Sequence, residues 1–89
     1  MKNNIKKSIE IFNLQKGEIN KMTQRRLAKE VLFDKQITDH AKFELVSMWI
    51  SEKRQMSFEH MRRICKSLDV DSNFLIGLTN EFSYRKYGR

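Results

Sequence analysis

The side chains in this chain that could take part in chemistry are placed for binding rather than for catalysis. The two histidines and the single cysteine have the wrong number and spacing for a zinc site. They also offer no Ser-His-Asp, Cys-His or paired-carboxylate arrangement that could drive a reaction. We therefore expect no enzymatic activity, no metal and no cofactor, with a small basic ribonuclease that uses His60 as its base as a minor alternative.

Three places put polar donors and cations where a phosphate could bind. Thr23 and Gln24 stand at a predicted helix N-terminus, where free backbone N–H groups and the helix dipole favour an anion. Thr23 is expected to cap that helix, and Gln24 is expected either to add a donor to the phosphate or to be solvated. Lys53 and Arg54 lie in a basic turn, and Ser57 begins a further helix, so both are additional phosphate candidates.

A fourth segment presents side chains of the kinds that contact base edges. Lys42 can donate to guanine, Phe43 can contact a thymine methyl group, and Glu44 can accept from cytosine. His40 and Ser47 lie on the same predicted helix surface. Each position is equally consistent with plain helix surface, and Lys42 is equally consistent with the edge of the core, with its ammonium group reaching outward.

The elements that would position these residues are helices. Proline is absent and glycine occurs three times, which disfavours a loop-rich or strand-rich fold. Apolar spacing predicts a first helix over residues 5–16, ended near Gly17. Residues 32–37 break the pattern and are expected to form a connector. Capping residues predict four further helix starts, at Thr23, Thr38, Ser57 and Asp71 or Ser72.

Apolar side chains at helical spacing are expected to form one small core. Trp49 is expected to be a core indole rather than a stacking platform for bases, and Cys65 a small core residue. Arg62 and Arg63 are expected on a solvated face, with a partner interface as the minor alternative. The positions predicted to face the core are Ile5, Ile9, Phe12, Leu27, Ala28, Val31, Ala41, Leu45, Val46, Met48, Trp49, Phe58, Met61, Ile64, Cys65, Leu68, Phe74, Leu75 and Leu78.

Length and charge narrow the class of protein. A chain of 89 residues corresponds to one domain. Its net charge of +7 and pI near 9.8 favour a polyanionic partner such as DNA, RNA or an anionic membrane face. The lone Cys65 cannot form an intramolecular disulfide, which favours a cytoplasmic location. No apolar run is long enough to cross a bilayer or to serve as a signal peptide, so we expect no membrane partner.

Four segments, in this order, resemble the XRE family of helix-turn-helix proteins, which includes phage repressors and Cro-like regulators. The family's L-T-Q-x-x-L-A segment is similar to residues 22–28, and its I-S-x-W segment to residues 46–49. Its fourth-helix and final-helix patterns are similar to residues 56–70 and 72–76. The chain departs from the family in a connection between helices 2 and 3 that is about eight residues longer, in Met56 where the family has Pro, and in having no Gly after the recognition helix.

The resemblance implies an all-α, five-helix, lambda-repressor-like helix-turn-helix domain over residues 1–80. It also implies a sequence-specific double-stranded DNA-binding transcriptional regulator, a repressor of the phage or mobile-element type, acting as a homodimer on the nucleoid. The alternative is a protein-interaction module in which the helix-turn-helix inhibits or adapts a partner protein. The residues expected to contact DNA are Thr23, Gln24, Arg25, His40, Lys42, Phe43, Glu44, Ser47, Lys53, Arg54 and Ser57.

Residues 81–89 are expected to form a separate basic, aromatic tail. Phe82 and Tyr84 alternate with a serine, which is the period of a short strand. We expect residues 81–87 either to pair across a two-fold axis or to pack on the fifth helix of a neighbouring copy. The alternative is a disordered arm whose cations track phosphates, namely Arg85, Lys86 and Arg89.

Overall fold

A computed structural model describes residues 3–17, 19, 21–34 and 36–84 and builds them into five α-helices. The predicted all-α, five-helix class is confirmed. No strand occurs among the described residues, so the alternating pattern at residues 82–84 does not form one. The helices are α1 (Ile5–Lys16), α2 (Gln24–Val31), α3 (Asp39–Ile50), α4 (Phe58–Leu68) and α5 (Ser72–Leu75).

The helix starts lie at the predicted capping residues. Each capping side chain accepts a hydrogen bond from a backbone N–H in the first turn, which satisfies a donor that the helix itself leaves free. The first helix ends at Gly17, whose φ of 76° suits a residue without a Cβ. The capping residues are Thr23 for α2, Thr38 for α3, Ser57 for α4 and Asp71 for α5.

The core lies where α2, α3 and α4 meet, and α2 packs most extensively against α3. Trp49 is only 2% exposed, and Cys65 is buried as predicted. The short α5 closes one side of this core with two fully buried residues, Phe74 and Leu75. Burial of these side chains supplies the main favourable contribution to folding.

The inner face of α3 differs from the prediction. Lys42, Val46 and Trp49 are its buried residues, whereas Ala41 and Met48 are exposed. Residues 42, 46 and 49 follow the four-and-three spacing of a single helix face. Because α3 carries large apolar residues on several sides, its sequence pattern did not select one face, and packing against α2 and α4 did.

Two further apolar residues assigned to the core are exposed. Phe58 is the first residue of α4 and is 71% exposed, since a side chain in the opening turn extends beyond the helices that cover the rest of the face. Leu78 is 57% exposed and lies after the end of α5 at Leu75. Both predictions were wrong because they extended a helical pattern past the covered part of the helix.

Two asparagines near the N-terminus cap helices that are distant in sequence. Asn3 Nδ2 donates to the carbonyl of Trp49 at 2.7 Å, at the C-terminal end of α3. Asn4 Nδ2 donates to the carbonyl of Phe74 at 2.8 Å, and its backbone N–H donates to Leu75 at 2.7 Å. The Trp49 and Phe74 carbonyls also accept the backbone N–H groups of Glu52 and Gly77, so the asparagine amides add a second hydrogen bond at each of these helix ends. The start of α1 is thereby joined to the ends of α3 and α5.

The described part of the tail packs on its own chain. The ring of Phe82 lies edge-on to Phe74 of α5, with centroids 5.5 Å apart, and Tyr84 stacks edge-on to Phe82 at 5.2 Å. The Tyr84 hydroxyl accepts a hydrogen bond from Gln15 in α1, and the Ser83 carbonyl accepts one from the Asp71 backbone. Phe82 therefore packs on α5 of its own chain, and Tyr84 contacts Phe82 and α1. Pairing of residues 81–87 across a two-fold axis or with a neighbouring copy stays a prediction. The cations at 85, 86 and 89 lie outside the described residues.

None of the helices in the described part of the chain is both long enough and apolar enough to span a bilayer.

Candidate nucleic-acid interface

The start of α2 is held in place from α1. The side-chain amide of Asn13 pairs with the backbone of Met22 in both directions, accepting from its N–H at 2.6 Å and donating to its carbonyl at 2.9 Å. Met22 itself is buried. The chain therefore enters Thr23 along a fixed path, and the capped N-terminus of α2 has a defined orientation.

Gln24 joins α2 to α3. Its Nε2 group donates to the Phe43 carbonyl at 3.2 Å and also to the Ser47 hydroxyl. A primary amide has two N–H donors, so both are directed at α3. The sequence left open whether Gln24 binds a phosphate or is solvated, and the structure gives its amide donors a third role, which is to fix the relative position of two helices. Ser47 is half-buried beneath this contact.

Arg25 lies over the ring of Phe43, with its guanidinium carbon 4.7 Å from the ring centroid. Arg25 is exposed and Phe43 is half-buried. Within the described ranges, no carboxylate forms an ion pair with this arginine. A guanidinium group on an aromatic face is attracted by the ring quadrupole. The stack thus places a charged group at the junction of α2 and α3.

His40 and Glu44 form an ion pair on the exposed surface of α3. His40 Nε2 is 3.0 Å from a Glu44 carboxylate oxygen, one helical turn away. Because the two side chains partner each other, the carboxylate repels a phosphate less when the histidine is protonated.

Lys42 does not lie with these residues. It is only 9% exposed and shares the inner face of α3 with Val46 and Trp49. The base-edge role considered for Lys42 is therefore wrong in this structure, and the alternative at the margin of the core is correct. The physical reason is the helical spacing of residues 42, 46 and 49, which puts the methylene stem of the lysine against the core.

A tight turn follows α3 and contains Glu52 in the left-handed region, at φ 62°. This is the place where the resemblance implies a Gly, and Glu52 adopts the conformation that a Gly would. The Arg54 backbone N–H donates back to the Met48 carbonyl at 3.3 Å, which closes the turn. Lys53 and Arg54 are exposed, and no described carboxylate pairs with either of them. The turn therefore brings two unneutralised cations directly beside the C-terminal end of α3.

Ser57 has a structural role at the start of α4. Its hydroxyl accepts the His60 N–H at 3.1 Å, as expected of a cap. Glu59 follows in the first turn of the same helix. A carboxylate in that turn already interacts favourably with the helix dipole, which makes this helix start less attractive to a phosphate than the start of α2.

A second arginine, Arg63, has a role that the sequence analysis missed. Its guanidinium donates to the Val31 carbonyl at 3.1 Å, at the C-terminal end of α2, and lies 4.3 Å from the Phe33 ring centroid. It is also 3.7 Å from Glu59. Arg63 was predicted to be solvated, and that prediction was wrong, because α4 crosses the end of α2 and supplies the partner that its last carbonyl lacks. No local signal in the sequence pairs residues 32 positions apart.

His60 packs beside the core rather than in a cleft with other reactive groups. Its ring centroid is 5.0 Å from that of Trp49. Burial lowers the pKa of His60 below its usual value, the positive charge of Arg63 lowers it further, and Glu59 opposes the shift. The described residues contain no group of three or more histidine, cysteine, aspartate or glutamate side chains placed to hold a metal ion.

The surface formed by α2, α3 and the turn after α3 is the strongest candidate for binding a polyanion. It joins a fixed pair of helices to three exposed cations, Arg25, Lys53 and Arg54, without carboxylate partners among the described residues. No protein-family model, no curated protein and no solved structure matches this chain.

Proposed function

We propose that this protein binds double-stranded DNA in a sequence-specific way through α2 and α3, as a helix-turn-helix regulator similar to the XRE family. The observation that carries the proposal is the bridge from Gln24 to Phe43 and Ser47. It fixes α2 against one turn of α3. In a helix-turn-helix, the first helix crosses the DNA backbone and positions the second helix in the major groove.

The dimensions and chemistry of α3 support this role. Its 12 residues correspond to about 18 Å of helix, and the major groove of B-DNA is wide enough to admit an α-helix. Glu44 and His40 are exposed, and Phe43 and Ser47 are half-buried. Acceptors, donors and an apolar ring are the side-chain types that read base edges. Lys42 is not part of this proposed surface.

Charge supports the same orientation. The exposed cations Lys53 and Arg54 follow α3 directly, and Arg25 stands beside its second turn. Cations in the turn directly after a helix that enters a groove would reach the phosphates of the flanking backbone, and Arg25 beside the second turn adds to the positive charge of this surface. The net charge of +7 favours the encounter with DNA.

We further propose that the DNA-bound form is a homodimer that represses transcription in the cytoplasm, at the nucleoid, as phage and mobile-element regulators do. A single recognition helix covers only a few base pairs, and proteins of this class read two half-sites about one helical turn apart. Control of repression by protein concentration, by dimerisation or by a partner protein is part of this proposal.

A protein-interaction module is the second candidate. The observation that favours it is an open groove of about 540 Å³ whose lining includes Met56, Phe58, Met61 and Ile76. Phe58 at its margin is the exposed first residue of α4. Large exposed apolar residues are common at protein–protein contacts.

A titration with duplex DNA separates the two candidates. Fluorescence anisotropy of a labelled random duplex is measured at about 50 mM and about 200 mM salt, where counterion release makes the affinity of a DNA-binding protein fall steeply. We expect binding at the lower concentration and a loss of at least tenfold at the higher one. Absence of binding at low salt would reject DNA as the partner and leave the protein-interaction module.

A further inference from the structure

The stack of Arg25 on Phe43 has the geometry of a device for reading bases. The guanidinium carbon lies over the ring, 4.7 Å from the ring centroid. The N–H donors of arginine lie in the guanidinium plane and point outward from its edge. Stacking therefore orients the donors without using them.

The donors of Arg25 are not committed to the protein. In the part of the chain that the structure describes, no carbonyl or carboxylate accepts from its guanidinium or pairs with it. The neighbouring Arg26 differs, because its Nε is 2.7 Å from Glu30. Arg25 thus keeps a fork of donors that fits the O6 and N7 acceptors of guanine.

Phe43 is held at the junction of α2 and α3. Gln24 ties the Phe43 carbonyl to α2, and the ring is half-buried beside Arg25 rather than within the core. Because the guanidinium carbon is 4.7 Å from the ring centroid, an arginine that contacts a guanine brings the ring close to the neighbouring base pair. The apolar group available at the edge of that base pair is the methyl group of thymine.

We infer that Arg25 and Phe43 form one base-reading unit that selects a guanine with a thymine in the adjacent base pair. The inference rests on the proposed function, since it assigns specificity to a surface proposed to bind DNA. Arg25 supplies the bidentate donors, and Phe43 both orients the guanidinium and contacts the methyl group. The two side chains are expected to act together, because loss of the ring also releases the arginine.

The first test is selection of binding sites from a pool of random duplexes by the full chain. The wild-type protein should enrich a motif in which a guanine adjoins an A·T pair. Arg25→Lys keeps the charge but removes the planar fork, so its motif should show a weaker preference for guanine and retain the other positions. Arg62→Lys is the matched control, because Arg62 is an exposed arginine of α4 near Glu59, and its motif should equal that of the wild type.

The second test uses modified bases in the selected duplex. Replacing the guanine by 7-deazaguanine removes the N7 acceptor and should weaken wild-type binding about tenfold. The same replacement should weaken the binding of Arg25→Lys by a smaller factor. Replacing the adjacent thymine by deoxyuridine removes one methyl group and should weaken wild-type binding about threefold. That loss should disappear in Phe43→Ala.

The outcomes separate the inference from the proposed function. A wild-type protein that enriches no motif overturns both. A wild-type motif without a guanine next to an A·T pair overturns the inference alone, as does a motif that Arg25→Lys leaves intact. Thermal melting of Arg25→Lys, followed by circular dichroism, should match the wild type, because Arg25 is exposed and exposed substitutions rarely change stability by more than about 0.5 kcal/mol. Phe43 is half-buried, so the binding of Phe43→Ala is measured below the melting transition of that variant.

Discussion

Two arginines in this protein lie over phenylalanine rings, Arg25 over Phe43 and Arg63 over Phe33, with the guanidinium carbons 4.7 Å and 4.3 Å from the ring centroids. In other respects their surroundings differ. Arg63 also donates to the Val31 carbonyl and approaches Glu59, so its hydrogen bonds and charge are used within the fold. Arg25 has the ring alone among the described residues. The same pair of side-chain types is a structural tie in one place and an open donor group in the other.

The comparison shows that whether a cation is available to bind a polyanion depends on the groups that already pair with it in the fold. Arg62 and Arg63 on α4 share the carboxylate of Glu59, and their field is partly cancelled at short range. No such carboxylate partner accompanies Lys53 and Arg54 within the described residues. The basic residues of this chain therefore form two kinds of surface. The positive charge on α4 is partly cancelled by Glu59, whereas the cations beside α3 have no such ion pair among the described residues, which makes the surface beside α3 the better site for a polyanion.

The largest expected effect tests whether α3 is rotated as described. Trp49→Ala should lower the free energy of unfolding by about 3–5 kcal/mol, because it removes a large, fully enclosed ring. Urea denaturation followed by circular dichroism measures the change, with Trp49→Phe as a milder control. An unchanged transition midpoint would mean that Trp49 is not in the core, and the surface assigned to Phe43 and Ser47 would then be wrong.

The next effect distinguishes the two arginines directly. Arg63→Ala should destabilise the fold by about 1–3 kcal/mol, since it leaves the Val31 carbonyl without its partner. Arg25→Ala should change stability by less than about 0.5 kcal/mol. The same denaturation experiment measures both variants. Equal losses of stability in the two variants would contradict the distinction between Arg63 as a structural residue and Arg25 as an open donor group.

A smaller effect appears in the salt dependence of DNA binding. We assume that each of Lys53 and Arg54 contacts one phosphate. Lys53→Ala combined with Arg54→Ala should then make the plot of log K against log salt less steep, reducing the magnitude of its slope by about two. Random and selected duplexes should weaken to a similar extent. The control is Arg62→Ala with Lys66→Ala, which removes two charges from α4 and should leave the slope closer to that of the wild type. A slope that the first variant leaves unchanged would remove the turn from the interface.

The smallest effect concerns pH and the neighbourhood of Arg63. The folded state lowers the pKa of His60 through burial and through Arg63, whereas the unfolded chain restores the ordinary value near 6.5. Between these two pKa values, the unfolded chain binds more protons than the folded chain. The contribution of His60 to the stability of the fold is therefore fully present above about pH 6.5 and is lost as the pH falls below that value. Denaturation of the wild type and of His60→Gln at two pH values measures this contribution. We expect His60→Gln to reduce the pH dependence, and an unchanged dependence would contradict the assignment.

Local features of the fold were predictable from the sequence. The caps at Thr23, Thr38, Ser57 and Asp71 depend on a side chain and an N–H group two or three residues away, so the sequence contains all the information that they need. The end of α1 at Gly17 is equally local, because the residue without a Cβ occupies a positive φ.

Features that depend on another element were not predictable. Lys42 and Ala41 exchange places relative to the prediction because packing, rather than an apolar stripe, determines the rotation of α3. Part of the candidate site could be read from residue types, but the ties from Gln24 to α3 and from Arg63 to α2 required the fold. The left-handed backbone conformation of Glu52 could not be predicted either, because a positive φ at a residue other than glycine has no clear signature in one sequence.

The hydrogen bonds from Asn3 and Asn4 to the ends of α3 and α5 affect how long the folded state persists. The bonds from Asn3 to Trp49 and from Asn4 to Phe74 span 46 and 70 residues. Contacts that close such long loops form late, because the entropy of closure must be met before they can contribute. Interactions absent from the folding transition state act on the unfolding rate and leave the folding rate almost unchanged. The first residues of the chain therefore extend the lifetime of the domain without hastening its formation.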